Sequence, residues 1–457
     1  MSNQNNQSSH VRKVAFLTLG CKVNTYETEA MEELFKEASY SIVEFNEQAD
    51  IYVVNTCTVT NIADRKSRQM LHKAKKNNNN AVVVAVGCYV QAAKEALEQD
   101  EAIDLVVGNN QKKQIVSLVE AYMDNNVCNE AVIDIAQDYE YEELAIGSLS
   151  EKTRAYMKIQ DGCNQFCSYC IIPYTRGRIR SRKREDILAE VHRLVEKGYK
   201  EVVLTGIHLS SFGMESNSEK EYDEAIGQAQ VTPLLQIITE ISEVEGLERI
   251  RLGSLEPRII TDDFVKTLSK NKKFCPHFHL SLQSGCDTTL KRMNRKYDTT
   301  LYYEKCELLR KQFDKPAITT DVIVGFPGET EEEFSATTDF LKKVNFSQTH
   351  IFKYSKRQGT KAAAMENQVD ESMKHKRSEV LIALDKENNH SYYQSFIGEE
   401  DTVLFEETVT INDKSYVVGH TRRYAKVAVE GDESLINQIV SVKICGFVTD
   451  ELLYASL

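Results

Sequence analysis

Three apolar stretches near the start of the chain each run directly into a cysteine, and this pattern strongly constrains the fold. They are Val14–Cys21, Ile51–Cys57 and Ala81–Cys88, and helical patterns separate them. Strands that alternate with helices predict a doubly wound α/β domain with a parallel sheet. The carboxyl ends of parallel strands share one edge of the sheet, so the three terminal cysteines are expected to meet there. We interpret them as ligands of a cluster with three protein thiolates, the alternative being ordinary buried cysteines.

A second group of three cysteines has the spacing C-x3-C-x2-C. It consists of Cys163, Cys167 and Cys170. Three thiolates can hold a four-iron cluster and leave its fourth iron open to a ligand, which indicates chemistry and not simple electron transfer. The alternatives are a structural zinc site or unrelated core cysteines, but zinc sites usually pair two C-x2-C halves and no second half follows in the sequence.

The middle of the chain repeats a strand-and-helix pattern six times, which predicts a partial (βα)6 barrel similar to a TIM barrel. Active sites of such barrels lie at the carboxyl ends of the strands, and the C-x3-C-x2-C motif follows the first strand. Beyond about residue 385 short strands predict a small β-barrel. The predicted strands of the middle region are 155–159, 201–205, 249–253, 277–282, 319–324 and 348–354. The predicted segments are a disordered tail (1–10), the doubly wound domain (11–125), a linker (126–150), the partial barrel (151–385) and the small β-barrel (386–457).

Composition favours a cytoplasmic enzyme without a membrane segment. The 11 cysteines are an odd number in a chain that starts without a signal-peptide pattern, which indicates reduced thiols. The formal net charge of −13 disfavours nucleic acid, but one stretch, 176–184, carries six basic residues within nine. That stretch is either an RNA contact or a solvated basic surface. The residues that we predict to bind RNA are Arg176, Arg178 and Arg180, with Arg422 and Arg423 in the small β-barrel.

The cysteine motifs and their surroundings resemble the radical S-adenosylmethionine methylthiotransferases. Leu19–Asn24 is similar to the amino-terminal domain of that family, Gly162–Gly177 to its radical domain, and the last 60 residues to its TRAM barrel. The resemblance implies S-adenosylmethionine as cofactor and two 4Fe–4S clusters, one that cleaves the cofactor to give a radical and one that delivers sulfur. The implied ligands are Cys163, Cys167 and Cys170 for the first cluster and Cys21, Cys57 and Cys88 for the second.

The family's cofactor contacts can be carried over onto individual positions of this chain. Each of these positions also suits an ordinary turn at the end of a strand, and that alternative stays open. The positions are Gly206, Ser254, Glu256, Val324, Gly325 and Phe326.

The resemblance is strongest to the family members that act on threonylcarbamoyladenosine. It implies addition of a methylthio group to C2 of N6-threonylcarbamoyladenosine next to the tRNA anticodon, with the anticodon stem-loop and a low-potential electron donor as partners. The alternatives are isopentenyladenosine in tRNA, or an aspartate of a ribosomal protein. A different class, a non-catalytic iron–sulfur protein that binds RNA or senses redox state, is disfavoured because two three-cysteine sites are present. The sequence does not predict the oligomeric state.

Overall fold

The computed structural model describes residues 11–125, 131–145, 153–215 and 232–457. The predicted tail 1–10 and parts of the predicted linker lie outside the described residues. The chain forms two compact units. The amino-terminal unit comprises the described parts of Met1–Ser148 together with Ile171–Arg178, and the carboxyl-terminal unit comprises those of Leu149–Cys170 and Ile179–Leu457.

The amino-terminal unit is built on a five-stranded parallel sheet, in which the second strand of the chain lies at one edge and the fifth at the other. Its central strands alternate their side chains between two apolar layers, since Ile51 and Val53 face one layer while Tyr52 and Val54 face the other. The strands are β1 (Lys13–Thr18), β2 (Ser41–Val43), β3 (Ile51–Thr56), β4 (Val82–Gly87) and β5 (Leu105–Val107), and their spatial order is β2-β1-β3-β4-β5.

Helices cover both faces of this sheet, which is the predicted doubly wound arrangement. Met31 and Phe35 of the first long helix pack on one face, and Leu71 and Ala74 of the second pack on the other. The helices are α1 (Lys22–Glu37), α2 (Asn61–Asn77), α3 (Cys88–Ala92), α4 (Lys94–Glu98), α5 (Ile115–Asn125) and α6 (Ile172–Thr175).

The carboxyl-terminal unit begins with the predicted partial barrel. Two sheets form its wall, and the parallel bridges Ile250↔Phe274 and Leu255↔Leu280 connect them. The strands are β6 (Arg154–Asp161), β7 (Arg180–Ser181), β8 (Glu201–Gly206), β9 (Arg249–Leu252), β10 (His277–His279), β11 (Ala317–Val324) and β12 (Gln348–Lys353). Their spatial orders are β7-β6-β8-β9 and β10-β11-β12, and apart from the short antiparallel β7 all neighbours run parallel.

One large apolar core lies between this wall and its outer helices. Helix Glu331–Val344 shows how local sequence sets an element, because Thr330 and Glu333 form a reciprocal capping box at its start. The helices are α7 (Arg184–Glu196), α8 (Pro233–Ser242), α9 (Asp262–Lys270), α10 (Asp287–Arg292), α11 (Thr299–Gln312), α12 (Glu331–Val344) and α13 (Glu371–Gln394). Short 3₁₀ turns occupy Lys112–Gln114 in the first unit and, in the second, Leu209–Ser211, Pro257–Ile259, Lys361–Ala364 and Glu433–Leu435.

The chain ends in a closed five-stranded barrel, which we call the terminal barrel. Its strands are β13 (Glu400–Ile411), β14 (Lys414–Thr421), β15 (Lys426–Glu430), β16 (Ile439–Thr449) and β17 (Leu452–Ser456). The sequence pattern predicts two separate strands at 402–406 and 408–411, but the structure has one strand there, with a bulge between Phe405 and Glu407. The last strand pairs with β15 and β16 and closes the barrel, so each of the five strands has a neighbour on both sides.

None of the helices in the described ranges combines the length and the apolar character that crossing a bilayer requires.

Candidate functional site

The three cysteines of the amino-terminal unit follow three neighbouring strands at one edge of the sheet. Cys57 directly follows β3, Cys88 directly follows β4, and Cys21 lies three residues beyond the end of β1. Burial raises the pKa of Cys57 to about 11, and the nearby Cys88 and Cys21 add to the rise, as expected for three thiols in one group. Three soft sulfur ligands at one point suit an iron–sulfur cluster.

Two glycines hold the backbone against these cysteines. Gly20 has a φ of +107°, and a Cβ there would lie 3.1 Å from the Cys57 Sγ. Gly87 has a φ of +97°, and its Cβ would lie 2.6 Å from the Oδ1 of Asn55. Any other residue would be strained and crowded at both positions, so the glycines fix how closely the strand ends approach.

A buried arginine from the segment Ile171–Arg178 completes this site. Arg176 is fully buried and donates from Nε to the Cys88 Sγ at 3.2 Å. Its other nitrogens donate to both carboxylate oxygens of Glu27, at 2.9 and 3.1 Å, and to the Asn24 Oδ1 at 2.7 Å. Lys112, also fully buried, lies 3.2 Å from Glu27. The site therefore places the Arg176 guanidinium beside the Cys88 sulfur, and the bidentate pairing with Glu27 fixes the orientation of that guanidinium.

The burial of two arginines argues against the RNA contacts predicted for them. Arg176 lies in the network just described, and the Arg180 guanidinium lies inside the other unit, 3.9 Å from the Asp161 carboxylate. A guanidinium enclosed in this way does not reach a phosphate at the surface. Arg178 is partly exposed, so its RNA contact stays a prediction.

The second cysteine group lies in the loop after β6, at the carboxyl end of the first strand of the partial barrel. The loop is anchored at its centre, where the Ser168 N–H donates to the Met293 carbonyl at 3.0 Å and its hydroxyl donates to the Arg292 carbonyl at 2.8 Å. The Cys170 N–H donates to the Cys167 carbonyl at 2.9 Å. These bonds hold Cys167 and Cys170 on one turn, and Cys163, earlier in the same loop, lies close enough for Cys167 to raise its pKa.

An arginine also contacts this second group. Arg295 donates from Nη1 to the Cys167 Sγ at 3.2 Å and from Nη2 to the Ser281 carbonyl at 3.3 Å. Its Nε donates to the Tyr297 hydroxyl at 2.8 Å. Each three-cysteine site thus has one arginine N–H aimed at one sulfur, a contact that would suit a sulfur bound to a metal.

The chemistry of the thiols fits metal binding in both sites. Burial raises the pKa of Cys163 to about 12, and the neighbouring Cys167 adds to this rise. Burial raises the pKa of Cys57 in the same way. Thiols of this kind stay protonated and unreactive in the absence of a metal, and a bound cluster would displace their protons. The residues present therefore fit a three-thiolate cluster in each unit.

The predicted cofactor contacts lie at the carboxyl ends of three barrel strands, and they differ in exposure. Ser254 is exposed, while Glu256 is buried and accepts from the Arg258 Nε at 2.8 Å. Burial raises the pKa of Glu256, and Arg258 opposes that rise. Gly206, at the end of β8, lies so close to Gln160 that its Cβ would be 2.8 Å from the Gln160 Oε1. The role of these three residues in cofactor binding stays a prediction.

The remaining three predicted contacts form the turn after β11. Val324 packs in the large core, and Phe326 packs edge-on against Tyr169 of the cysteine loop with ring centroids 6.5 Å apart. Gly325 has a φ of +71° and donates from its N–H to the Glu329 carboxylate at 3.1 Å. Because both apolar side chains are buried, this turn would offer a cofactor mainly its backbone. Its role in cofactor binding also stays a prediction.

The two arginines of the terminal barrel that we predicted to bind RNA are engaged within the protein. Arg423 donates to the carboxylates of Asp401 and Glu399, both at 2.9 Å. Arg422 donates to the Phe274 carbonyl at 2.7 Å. These bonds link parts of the carboxyl-terminal unit, which argues against a main role in RNA binding for either residue.

Two arginine contacts with sulfur have no clear signal in the local sequence. Arg295 lies 128 residues from Cys167, and Arg176 lies 88 residues from Cys88. Arg176 also opens a run of six basic residues, which favours an interpretation as a charged surface. The one available signal is the position of that run, which starts six residues after the last cysteine of the motif.

Two models of known families match separate parts of the chain. Residues 13–108 match the model described as "Uncharacterized protein family UPF0004", and residues 157–341 match the model of the radical SAM superfamily. In fold, the chain is similar to the radical S-adenosylmethionine methyltransferase TsrM from Kitasatospora setae, with a TM-score of 0.55 over 78% of this chain and 77% of that one, at 14% identity.

Curated relatives cover nearly the whole chain. A threonylcarbamoyladenosine tRNA methylthiotransferase, MtaB, from Bacillus subtilis is 42% identical over 94% of this chain and 93% of its own. The corresponding protein of Aquifex aeolicus is 38% identical over 89% and 95%. A tRNA-2-methylthio-N(6)-dimethylallyladenosine synthase from Thermoanaerobacter is 37% identical over 93% and 89%.

Proposed function

Because this chain belongs to the radical S-adenosylmethionine tRNA methylthiotransferase family, we propose that it adds a methylthio group to C2 of N6-threonylcarbamoyladenosine next to the tRNA anticodon. Membership implies S-adenosylmethionine and a 4Fe–4S cluster, and the methylthiotransferase relatives make the chain a transferase. The observation that carries the proposal is the pair of three-cysteine sites, each with an arginine N–H on one sulfur. One site supports cofactor cleavage and the other supports sulfur delivery.

Each site has a separate task under this proposal. Cys163, Cys167 and Cys170 would hold a 4Fe–4S cluster that supplies the electron for cleavage of S-adenosylmethionine when the cofactor is bound. Arg295 donates a hydrogen bond to the Cys167 sulfur. Cys21, Cys57 and Cys88 would hold a second 4Fe–4S cluster. Arg176 donates a hydrogen bond to one sulfur of this second group, just as Arg295 does in the first.

The choice of threonylcarbamoyladenosine rests on the degree of identity. The relative named for this nucleoside is 42% identical, while a relative named for dimethylallyladenosine is 37% identical over a similar length. The second relative makes the dimethylallyl form of the adenosine the second candidate substrate. The anticodon stem-loop of tRNA and an electron donor of low potential in the cytoplasm complete the proposal.

The test of the substrate is mass spectrometry of tRNA nucleosides from a host that lacks its own threonylcarbamoyladenosine methylthiotransferase. We expect 2-methylthio-threonylcarbamoyladenosine to appear only when this chain is expressed. A 2-methylthio-dimethylallyladenosine peak in its place would transfer the proposal to the second substrate. The absence of both products, with the iron content of the protein confirmed, would refute action on tRNA adenosine.

The roles of the two sites are separable with matched cysteine variants. Cys167→Ala is expected to abolish formation of 5′-deoxyadenosine from S-adenosylmethionine under anaerobic reducing conditions. Cys57→Ala should keep that activity and lose the modified nucleoside. Cys445→Ala is the control, because Cys445 is an exposed thiol of the terminal barrel and should behave as the parent. Cofactor cleavage that survives in Cys167→Ala would overturn the assignment.

A further inference from the structure

Two histidines and one aspartate lie together on the wall of the partial barrel, outside both cysteine groups. They come from three adjacent parallel strands, His279 from β10, Asp321 from β11 and His350 from β12. Each offers one ligand atom, and these three atoms all lie within 4.8 Å of one another. Imidazole nitrogen combined with carboxylate oxygen is a donor set that divalent transition metal ions accept.

All three side chains lie on the same face of the sheet. Asp321 and His350 are direct cross-strand partners, and His279 is the partner of Thr319, two residues before Asp321. Side chains alternate between the faces of a strand, and Ile318 and Val322, which flank Thr319 and Asp321 in β11, pack in the large core under the outer helices. The three ligands therefore face away from that core, on strands that fix their spacing.

One pair of these ligand atoms has the separation that a common ion requires. The His279 Nε2 and the Asp321 Oδ2 are 3.2 Å apart. Two ligand atoms at about 2.1 Å from one zinc ion and at an angle near the tetrahedral value are separated by about 3.2–3.4 Å. The rings of His279 and His350 lie 5.8 Å apart between centroids at an interplanar angle of 29°, so both can turn one nitrogen toward the same point.

The second ring nitrogen of His279, Nδ1, is hydrogen-bonded to a threonine hydroxyl. This Nδ1 lies 3.0 Å from the Thr319 Oγ1, and the Nε2 of His277 lies 3.3 Å from the same oxygen. A hydroxyl has one proton for two imidazole neighbours, so at least one ring donates to it. A proton on the His279 Nδ1 leaves the Nε2 lone pair facing the Asp321 carboxylate, an arrangement that a cation between them stabilises.

We propose that His279, Asp321 and His350 bind one divalent transition metal ion on the inner wall of the partial barrel. The site shares no residue with the two cysteine groups, and its ligand atoms are nitrogen and oxygen. Three protein ligands leave further coordination positions for water or for a carboxylate oxygen. The side chains of His279 and Asp321 are 14% and 29% exposed, and His350 is exposed, so an ion can reach the site.

The test loads zinc into the full chain after both cysteine groups have been filled with iron anaerobically, so that these six thiols do not compete. We expect one zinc per chain to remain after passage over a chelating resin, measured beside iron by mass spectrometry. X-ray absorption at the zinc edge should show nitrogen and oxygen neighbours and no sulfur.

Three variants locate the zinc. His350→Ala and Asp321→Asn should lose it, with affinity reduced by more than about tenfold, since even loss of an outer partner of a metal ligand costs about 10–100-fold. His192→Ala, at an exposed histidine of α7, is the matched control and should bind as the parent does. The iron content of every variant must equal that of the parent. Equal zinc in the parent and in His350→Ala, or sulfur neighbours at the zinc edge, would overturn the proposal.

Discussion

Replacement of Arg176 tests whether this arginine belongs to the interior of the amino-terminal unit. We expect Arg176→Met to destabilise the parallel sheet, because the variant nearly keeps the length of the side chain and removes its charge and hydrogen bonds. It deletes two bonds to Glu27, one to Asn24 and one to the Cys88 sulfur, all in a fully buried place.

The size of the effect follows from the partners that remain. Removal of one member of a buried ion pair costs about 3–5 kcal/mol because the other charge stays buried. Glu27 keeps Lys112 at 3.2 Å, so we expect the lower end, about 3 kcal/mol of unfolding free energy. Since about 1.4 kcal/mol corresponds to a factor of ten, amides that exchange by opening of the sheet should exchange roughly a hundredfold faster.

Hydrogen–deuterium exchange of β3 and β4, followed by mass spectrometry, measures this change directly. Arg65→Met is the control, because Arg65 is an exposed arginine of α2 in the same unit and its loss should cost less than about 0.5 kcal/mol. Unchanged protection of both strands in Arg176→Met would refute the reasoning. If the variant instead lowered the salt dependence of RNA binding without any loss of protection, Arg176 would be an RNA contact after all.

Three further changes test other parts of the structure. Asp385 accepts from the Thr349 N–H, and burial raises its pKa to about 6. Asp385→Asn should therefore stabilise the carboxyl-terminal unit at pH 8 and not at pH 4. We expect a gain of about 1–2 kcal/mol in unfolding free energy, a value reduced for the partial exposure of the Asp385 side chain. Arg251 is buried and donates to Glu201 at 3.0 Å and to carbonyls of the terminal barrel, so Arg251→Met should cost about 3–5 kcal/mol and make that barrel sensitive to protease. Arg65 and Lys66 belong to an exposed basic face of α2, and their exchange for Gln should lower the salt slope of tRNA binding by about two.

The outcomes that would contradict these predictions differ. The sign for Asp385 follows from its raised pKa, since the protonated form favours folding below about pH 4 and that contribution is lost as the pH rises through about 6. A variant that gained equally at pH 4 and pH 8 would exclude titration as the cause. An unchanged protease pattern in Arg251→Met would show that the other contacts of the barrel hold it without Arg251. The tRNA control is the pair Lys266 and Lys270, exposed on α9, and an equal change in slope there would remove α2 from RNA recognition.

Much of the fold is predictable from sequence because its signals are local. The strands that end before Cys57 and Cys88 are β-branched runs bounded by polar residues, and the pattern places their ends within one or two residues. Once parallel strands are inferred, their carboxyl ends must share an edge, so topology alone assembles the amino-terminal cysteine group. The strand Leu452–Ser456 is not predictable in this way, because a short run of this composition has no signal for the pairing with β15 that closes the terminal barrel.

The roles of the arginines cannot be predicted in the same way. A local run of positive charge shows only that the residues are basic, while Glu27 lies 149 residues away from Arg176 in the sequence. Whether a guanidinium meets solvent, a phosphate or a buried carboxylate depends on those distant partners. The same reason explains Arg423, whose acidic neighbours include Asp314 at 3.2 Å, 109 residues away.

The segment Ile171–Arg178 has a consequence for how such a chain can be divided. It is flanked on both sides by the carboxyl-terminal unit but belongs to the other unit, where Arg176 binds Glu27 and where the Thr175 carbonyl accepts from the Asn109 amide at 2.7 Å. A truncation after residue 148 would therefore remove part of the amino-terminal unit. Exchange of residues 1–148 between relatives at a single recombination point would place a foreign Glu27 opposite the native arginine loop. The parallel sheet and the loop Ile171–Arg178 must therefore be inherited together, and we expect their sequences to change in a correlated way during evolution.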